Sequence, residues 1–318
     1  MKNVTFYKFN LEPSNNLRLD QLISQKLPEY SRSRIKNWMI DKKILVNGEA
    51  CSPDQKISQA CSVEVEFSPI ESIEIGPEDI PIDVAYEDQD ILIINKACGM
   101  VTHAAPGNFS GTMQNALLYR YPELKSVPRS GIIHRLDKHT SGLLIIARSL
   151  ESHNTLVKQM HDRKIKKKYL SLVTGIISNI SSVDRSIGRH TINRKKMAVS
   201  DKGKHALTKI HVLNRYEKAS FLEIDLITGR THQIRVHLSY LGHPVIGDKL
   251  YGFKKSFFKK YQSLTKFFDK YESNALHAAS LNFRHPRNNR PLFIESDPPN
   301  DFNYIKRNLE DLSYDNPI

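Results

Sequence analysis

From His134 to Arg148 the chain reads HRLDKHTSGLLIIAR, and this segment limits the folds open to the rest. The unbroken apolar run from Leu143 to Ala147 suits a buried strand. The Thr140-Ser141-Gly142 turn joins that strand directly to a charged, exposed segment. A polar loop is thereby tied to a core element, so Asp137 is presented by a rigid scaffold. No cysteine or second carboxylate stands nearby in sequence to make a metal cage or a two-carboxylate acid/base pair. Arg135 lies two residues before Asp137, and a nearby guanidinium keeps a carboxylate ionised as a nucleophile or proton acceptor. On these residues alone, a surface ion pair between Arg135 and Asp137 is the more frequent meaning of such a pattern.

Two further segments carry chemistry. ITGRTHQIRVHL follows a Thr228-Gly229 turn, and as a short helix it would bring His232, Arg235 and His237 near one another, with Arg230 at its start. Two histidines five apart without the glutamate of an HExxH motif are weak evidence for zinc, and a packed basic helix explains the pattern equally well. In RKIKKKYLSLV, Lys166, Lys167 and Lys168 lead into Tyr169. There an aromatic ring could stack on an unpaired base while lysines meet phosphates, although an isolated tyrosine more often serves packing. The basic stretches Arg189 to Lys204 and Lys254 to Lys270 read as loop-like insertions able to touch an anionic partner. The second could equally be an amphipathic helix burying Phe257, Phe258, Leu264 and Phe267.

Charge favours an anionic partner: 47 Lys and Arg stand against 34 Asp and Glu, a net charge of +13. Charge alone does not choose between nucleic acid and a membrane surface. With 318 residues, 39% of them hydrophobic, the chain is long enough for one large domain or two. No apolar run approaches the roughly 20 residues of a membrane span, and MKNVTFYKFN lacks a signal peptide's apolar stretch, so a cytoplasmic protein is expected. Cys51, Cys61 and Cys98 form no CxxC pair and are read as reduced, structural residues.

Along the chain, Leu19, Leu22, Ile23 and Leu27 recur at helical spacing and Pro28 breaks the pattern. Ser31 then serves as N-cap of a second helix, with an apolar stripe of Ile35, Trp38 and Met39 beside Arg32, Arg34, Lys36, Lys42 and Lys43. Such basic residues are usually a solvated face. ILVNGEAC predicts a strand entering an Asn-Gly hairpin, and SVEVEF a further strand. The acidic, proline-broken SPIESIEIGPED reads as a linker. Beyond it, strands are expected at Ile91 to Ile94 and in GLLIIAR, KYLSLVTG, ALTKIHVLNRY and SFLEIDLITG, with helices over Thr112 to Tyr119 and Ser152 to Met160. Without a regular βαβ repeat, the class is α+β with a largely antiparallel or mixed sheet.

HRLDKHTSGLLIIAR resembles the H-R-L-D-x-x-T-S-G-L-L signature of the RluA-type pseudouridine synthases. NKACGMVTHAAPGNFSGTMQNAL before it, then KKKYLSLVTG and LITGRTHQIRVHLSYLGHPVIGDKLYG after it, follow that family's order from about Pro81 to Pro299. The string SRSRIKNW…I.VNG resembles an S4-type RNA-binding domain. The resemblance implies an S4-like domain at 1–67 (core 17–67), a linker at 68–79, and at 80–318 a catalytic domain with a long bent mixed, largely antiparallel sheet crossed by a cleft. It implies that Asp137 is the catalytic residue, Arg135 its preceding arginine, Arg235 its basic contact and Tyr169 the tyrosine of the pocket. Arg230 would touch phosphate or brace the loop. His103 matches a family loop that usually reads VHPG, but Ala104 departs from it, so no role is carried onto this histidine. Arg32, Arg34, Lys36, Lys42, Lys43, Lys166, Lys167, Lys168, Arg230 and His232 are the candidate RNA contacts. Among the branches the chain is most similar to the RluD type, which acts on large-subunit (23S) ribosomal RNA, free or in a pre-ribosomal particle. The RluC type, acting at other sites of that RNA, and a non-catalytic ribosome-assembly factor are the alternatives. No cofactor or metal is implied, no membrane, and a monomer is the family expectation.

Overall fold

Apolar spacing in the first fifty residues builds a small helix-and-sheet unit. The computed structural model describes residues 5–14, 17–27, 30, 32–67, 75–105 and 108–314, and it divides the chain into Met1–Glu74 and Ile75–Ile318. The first unit contains β1 (Thr5–Leu11), α1 (Leu19–Lys26), α2 (Arg32–Ile40), β2 (Ile44–Val46), β3 (Glu49–Ala50) and β4 (Cys61–Phe67), with sheet order β1-β4-β2-β3. Leu19, Leu22 and Ile23 pack with Ile35, Trp38 and Met39 over Ile44, Val63 and Val65. Asn47 and Gly48 both take positive φ, as a tight hairpin between right-twisted strands requires. The expected Pro28 break and Ser31 cap lie outside the described residues. Strand β1, which the sequence reading did not anticipate, pairs with β4 from Thr5 opposite Phe67 to Leu11 opposite Cys61. Phe6 and Tyr7 in it are exposed, so it lacks a clean apolar alternation.

The second unit continues with β5 (Asp83–Glu87), β6 (Ile91–Lys96), α3 (Met113–Arg120), β7 (Ser141–Ala147), α4 (Leu150–His161), β8 (Lys166–Thr174), β9 (Ser182–Asp184), β10 (Ile187–Arg189), β11 (Met197–Val199), β12 (Leu207–Arg215), β13 (Ala219–Leu226), α5 (Gln233–Tyr240), α6 (Gln262–Lys270), β14 (Leu276–Arg284), β15 (Pro291–Glu295) and α7 (Asn300–Tyr314). Nine strands form one mixed sheet in the order β5-β6-β7-β14-β8-β13-β12-β9, with β15 on β14. The β7–β14 pair is parallel and the other ladders are antiparallel, which gives the expected α+β class. Leu92, Ile94, Leu144 and Ile146 enter one core, while Ile91, Ile93, Leu143 and Ile145 enter another on the opposite face. Burial on both faces explains why these strands read as unbroken apolar runs.

Local chemistry fixes the helix starts. The Thr112 hydroxyl accepts the Asn115 N–H at the head of α3, and the Ser149 hydroxyl accepts the Ser152 N–H at the head of α4. Part of the expected linker is tied down, since the Gly76 carbonyl accepts Asn115 Nδ2 at 2.8 Å and Glu78 N–H donates to the Asn115 carbonyl at 3.1 Å. The segment from Arg189 onward is not a plain loop, because β10 and β11 pair from Ile187 opposite Val199 to Arg189 opposite Met197. Lys254 to Lys270 follows the packed-helix alternative, with a corrected face. Phe258, Leu264 and Phe268 are buried, whereas Phe257 is exposed and Phe267 stacks on Tyr304 at 4.8 Å. Helical geometry puts Leu264 and Phe268, four apart, on one side.

Gly142 sits where β7 meets β14. Its φ is +111°, and a Cβ there would lie 2.4 Å from the Ala278 carbonyl oxygen. Only glycine suits that backbone and that approach. Gly142→Ala is expected to lower the unfolding free energy in urea by about 3 kcal/mol or more, or to prevent folding. A loss below about 1 kcal/mol would show that the strand junction is not the tight contact described.

Candidate active site

Asp137 stands on a loop whose backbone is fastened at several points. Arg129, Ser130 and Gly131 all take positive φ, turning the chain back against β7. A Cβ on Gly131 would fall 2.1 Å from the Ala147 carbonyl oxygen. His134 Nε2 accepts the Ile145 N–H at 3.1 Å, and burial pushes this imidazole down to about 3, so it is neutral with its proton on Nδ1. Thr102 Oγ1 donates to the Leu136 carbonyl at 2.8 Å. The fully buried Lys96 ammonium donates to the carbonyls of Ala97 (2.8 Å), Met100 (3.0 Å) and Lys138 (3.4 Å). Burial pulls Lys96 down to about 8. The carbonyls on both sides of Asp137 are thus held, which leaves its carboxylate little positional freedom.

That carboxylate meets a guanidinium already committed elsewhere. Arg235 Nη1 donates to Asp137 Oδ2 at 2.8 Å, while its Nε and Nη2 donate to both oxygens of Asp248 at 2.6 and 2.9 Å. Arg235 and Asp248 are buried, and the guanidinium carbon lies 4.8 Å from the centre of the Tyr251 ring. Burial opposes the arginine charge, but the two carboxylates more than offset this and hold Arg235 above its ordinary value. His232 Nε2 stands 3.7 Å from Asp137 Oδ1, and its Nδ1 is 2.8 Å from Tyr251 Oη. Tyr251 Oη also accepts the Met197 N–H at 2.9 Å, so this hydroxyl ties His232 to strand β11. Burial holds His232 below its ordinary value despite the attraction of Asp137.

These groups border a cleft of about 560 Å³, in the size range of small-molecule sites. Strand alternation sends Lys167 and Tyr169 into it and Lys166 and Lys168 away from it. Tyr169 is buried, and burial followed by the nearby Asp137 charge pushes its phenol well above the usual range, so it stays protonated. Burial holds the Lys167 ammonium down at about 8, and among the described residues no carboxylate pairs with it. Lys168 is paired with Glu223 at 2.6 Å.

Asp137, Arg235, Tyr169, Arg135, His232, Lys167 and Arg230 therefore line one cleft. Arg135 lines the cleft and is exposed, and the ion pair suggested by its place two residues before Asp137 is not the one present: Arg235, the expected basic contact, holds the carboxylate. Proximity in sequence misled here because the loop turns at Leu136, whose side chain is buried. Arg230 braces the loop, donating through Nε to the His205 carbonyl at 3.0 Å. His237 is not near His232. It is buried between Thr208 Oγ1 and the Arg185 carbonyl, since five helical residues turn it well away from the cleft. In the first unit, Arg32 pairs with the buried Asp20 at 2.9 Å, and Arg34 lies over the rings of Tyr30 and Trp38 at 5.6 and 5.2 Å. Lys36 and Lys42 are exposed and Lys43 is half-buried.

Asp248, Tyr251, Lys96 and Gln233 were not singled out from sequence. Gln233 is buried, accepts from Thr228 Oγ1 and the Arg230 N–H, and so fixes the turn before α5. Glycine-flanked Asp248 was the nearest thing to a signal. Among the described residues one group, Asp88, Asp90 and His285, has ligand atoms close enough for a metal ion. His285 already lies 2.9 Å from Asp88 and Arg287 2.7 Å from Asp90, the contacts of an ion-pair network.

Comparison with known proteins gives two family matches, the RNA pseudouridylate synthase model over residues 90–240 and the S4 domain model over residues 17–59. The chain is 39% identical to the ribosomal large subunit pseudouridine synthase D of Pseudomonas aeruginosa, over 91% of this chain and 90% of that protein. It is 40% identical to the protein of the same name from Escherichia coli, over 85% of this chain and 83% of the relative. An uncharacterized RNA pseudouridine synthase of Aquifex aeolicus is 40% identical over 98% of this chain and all of its own length, 100%. Among solved structures, human RNA pseudouridylate synthase domain containing 1 aligns with a TM-score of 0.54 at 28% identity, covering 70% of this chain and 85% of that one.

Lys167 provides a test of the cleft's electrostatics. Burial lowers it from 10.5 to about 8, so between these pH values the unfolded chain binds more protons than the folded one. Stability should therefore rise as pH is raised from about 8 to about 10, and Lys167→Met should reduce that rise, leaving the part due to Lys96. Identical pH slopes for the two proteins, measured by urea unfolding, would mean that Lys167 is not buried as described.

Proposed function

This chain belongs to the RNA pseudouridine synthase family, and we propose that it isomerises uridine to pseudouridine in large-subunit ribosomal RNA, with Asp137 as the catalytic residue. The observation that carries this is one carboxylate on a fastened loop, gripped at Oδ2 by Arg235 and standing over a cleft that Tyr169 helps to line. The two curated relatives from P. aeruginosa and E. coli, named for the large ribosomal subunit, support the RNA class. A monomer acting in the cytoplasm, on free RNA or on an assembling subunit, is part of the same reading. No helix among the described residues is long and apolar enough to cross a membrane.

The target base has to leave its stack to enter such a cleft, at a cost of a few kcal/mol that falls when it is unpaired. Asp137 breaks the bond between C1′ and N1, by attack at C1′ or by removal of a sugar proton. The uracil then rotates and its C5 bonds to C1′, which releases the carboxylate or takes back the sugar proton; C5 loses its proton and N1 gains one, completing the exchange of a C–N bond for a C–C bond. Product and substrate are isomers, so no oxidant, water or cofactor is consumed. Arg235, anchored by Asp248, keeps the carboxylate charged and oriented through each step. Tyr169 supplies a flat, protonated surface for the uracil. A binding protein without chemistry would not require the buried arginine between two carboxylates.

In single-turnover assays on large-subunit RNA transcripts, Asp137→Ala and Asp137→Asn are expected to lose about a thousandfold or more in rate while RNA affinity changes by less than about threefold. Pseudouridine formation by Asp137→Ala at an undiminished rate would remove Asp137 from the mechanism.

A further inference from the structure

Beside the cleft lies a second hollow of about 430 Å³, and the two meet at Gly229, Arg230 and Thr231, which line both. The wall of this hollow away from the cleft is the β10–β11 hairpin and the turn after it, which contribute Arg189, Lys202 and Lys204. Among the described residues, none of these three cations and neither nitrogen end of Arg230 is paired with a carboxylate. Asp184, the nearest preceding acid, is taken by His205 at 2.9 Å, and Asp201 on the same turn is exposed. Two other candidate RNA contacts do carry paired acids, Arg32 with Asp20 and Lys168 with Glu223. Gly188 and Gly203 also line the hollow, which keeps its wall low.

A nucleotide flipped into the cleft stays covalently joined to both neighbours, so the strand has to leave along the cleft wall. The junction at Gly229 to Thr231 is an exit bordered by uncompensated positive charge. We infer that this hollow is the track for the phosphodiester backbone of the unpaired nucleotides flanking the target uridine on one side, with Arg189, Lys202 and Lys204 meeting its phosphates. The inference rests on the cleft being the uridine site, and it adds a binding subsite on the hairpin. Phosphate contacts of this kind confer affinity and register, not base choice.

The test uses the full chain with Arg189→Gln, Lys202→Gln and Lys204→Gln combined. Arg230 is left intact because it braces the loop. RNA oligonucleotides carry the target uridine with unpaired flanks on both sides, or with the 5′ or the 3′ flank removed. Loss of three phosphate contacts should flatten the slope of log Kd against log salt by about 2, equivalent to roughly a hundredfold weaker binding at 0.1 M salt. One truncation should abolish the difference between wild type and the triple variant, and the charge-keeping Arg189→Lys, Lys202→Arg, Lys204→Arg protein should bind like wild type. Unchanged affinity and slope, or the same loss on every oligonucleotide, would overturn the track. Pseudouridine is scored in the same reactions. Wild-type binding that shows the flank dependence but yields no product would count against the isomerase reading and leave the phosphate subsite standing.

Discussion

The buried guanidinium of Arg235 is the contact on which the site is organised. It spans two carboxylates, one anchoring and one facing the cleft, and its planar fork fits Asp248 at two points while leaving Nη1 for Asp137. A lysine at this position would supply charge without that geometry. Burying one cation between two anions costs desolvation, which is repaid only because every charged partner is also hydrogen-bonded. The arrangement fixes Asp137 from the side, while the carbonyls of Leu136 and Lys138 fix it from behind through Thr102 and Lys96.

The fold serves this geometry through close backbone approaches. Strand β7 is buried on both faces, and Gly131 and Gly142 bring the chain against Ala147 and Ala278. The loop between these glycines carries Asp137. Opposite it, α5 begins at His232, and Gln233 locks the preceding turn to β12 through the Leu207 carbonyl and Thr208 Oγ1. The side chains facing the cleft thus come from a core strand edge and a braced helix start.

Much of this was legible in the sequence where the signal is local. The apolar run of β7 and the Asn-Gly hairpin declare themselves within a few residues. The chemistry of Asp137, Tyr169 and Arg235 came from motif resemblance. Contacts between distant segments were not legible. Strand β14 places His277 against Ser141 and carries Ser280 and Asn282, so its polar residues hide a central strand. Asp248 acquires its meaning only when a loop brings it to Arg235. Arg135 is not the partner of the Asp137 carboxylate because closeness along the chain is not closeness in space, and the acids paired with Arg32 and Lys168 lie on other elements, out of reach of a local reading. Arg189, Lys202 and Lys204 stand out because the hairpin brings them to one hollow with no carboxylate paired to them among the described residues.

The central claim is that Asp248 acts at a distance, by aiming Arg235 at Asp137. The most direct measurement is the single-turnover rate of pseudouridine formation by Asp248→Asn, alongside its RNA affinity and its unfolding free energy. The account predicts a rate lower by about a hundredfold or more at unchanged RNA affinity in protein that remains folded at the assay temperature. A folded Asp248→Asn enzyme that turns over at the wild-type rate would contradict it.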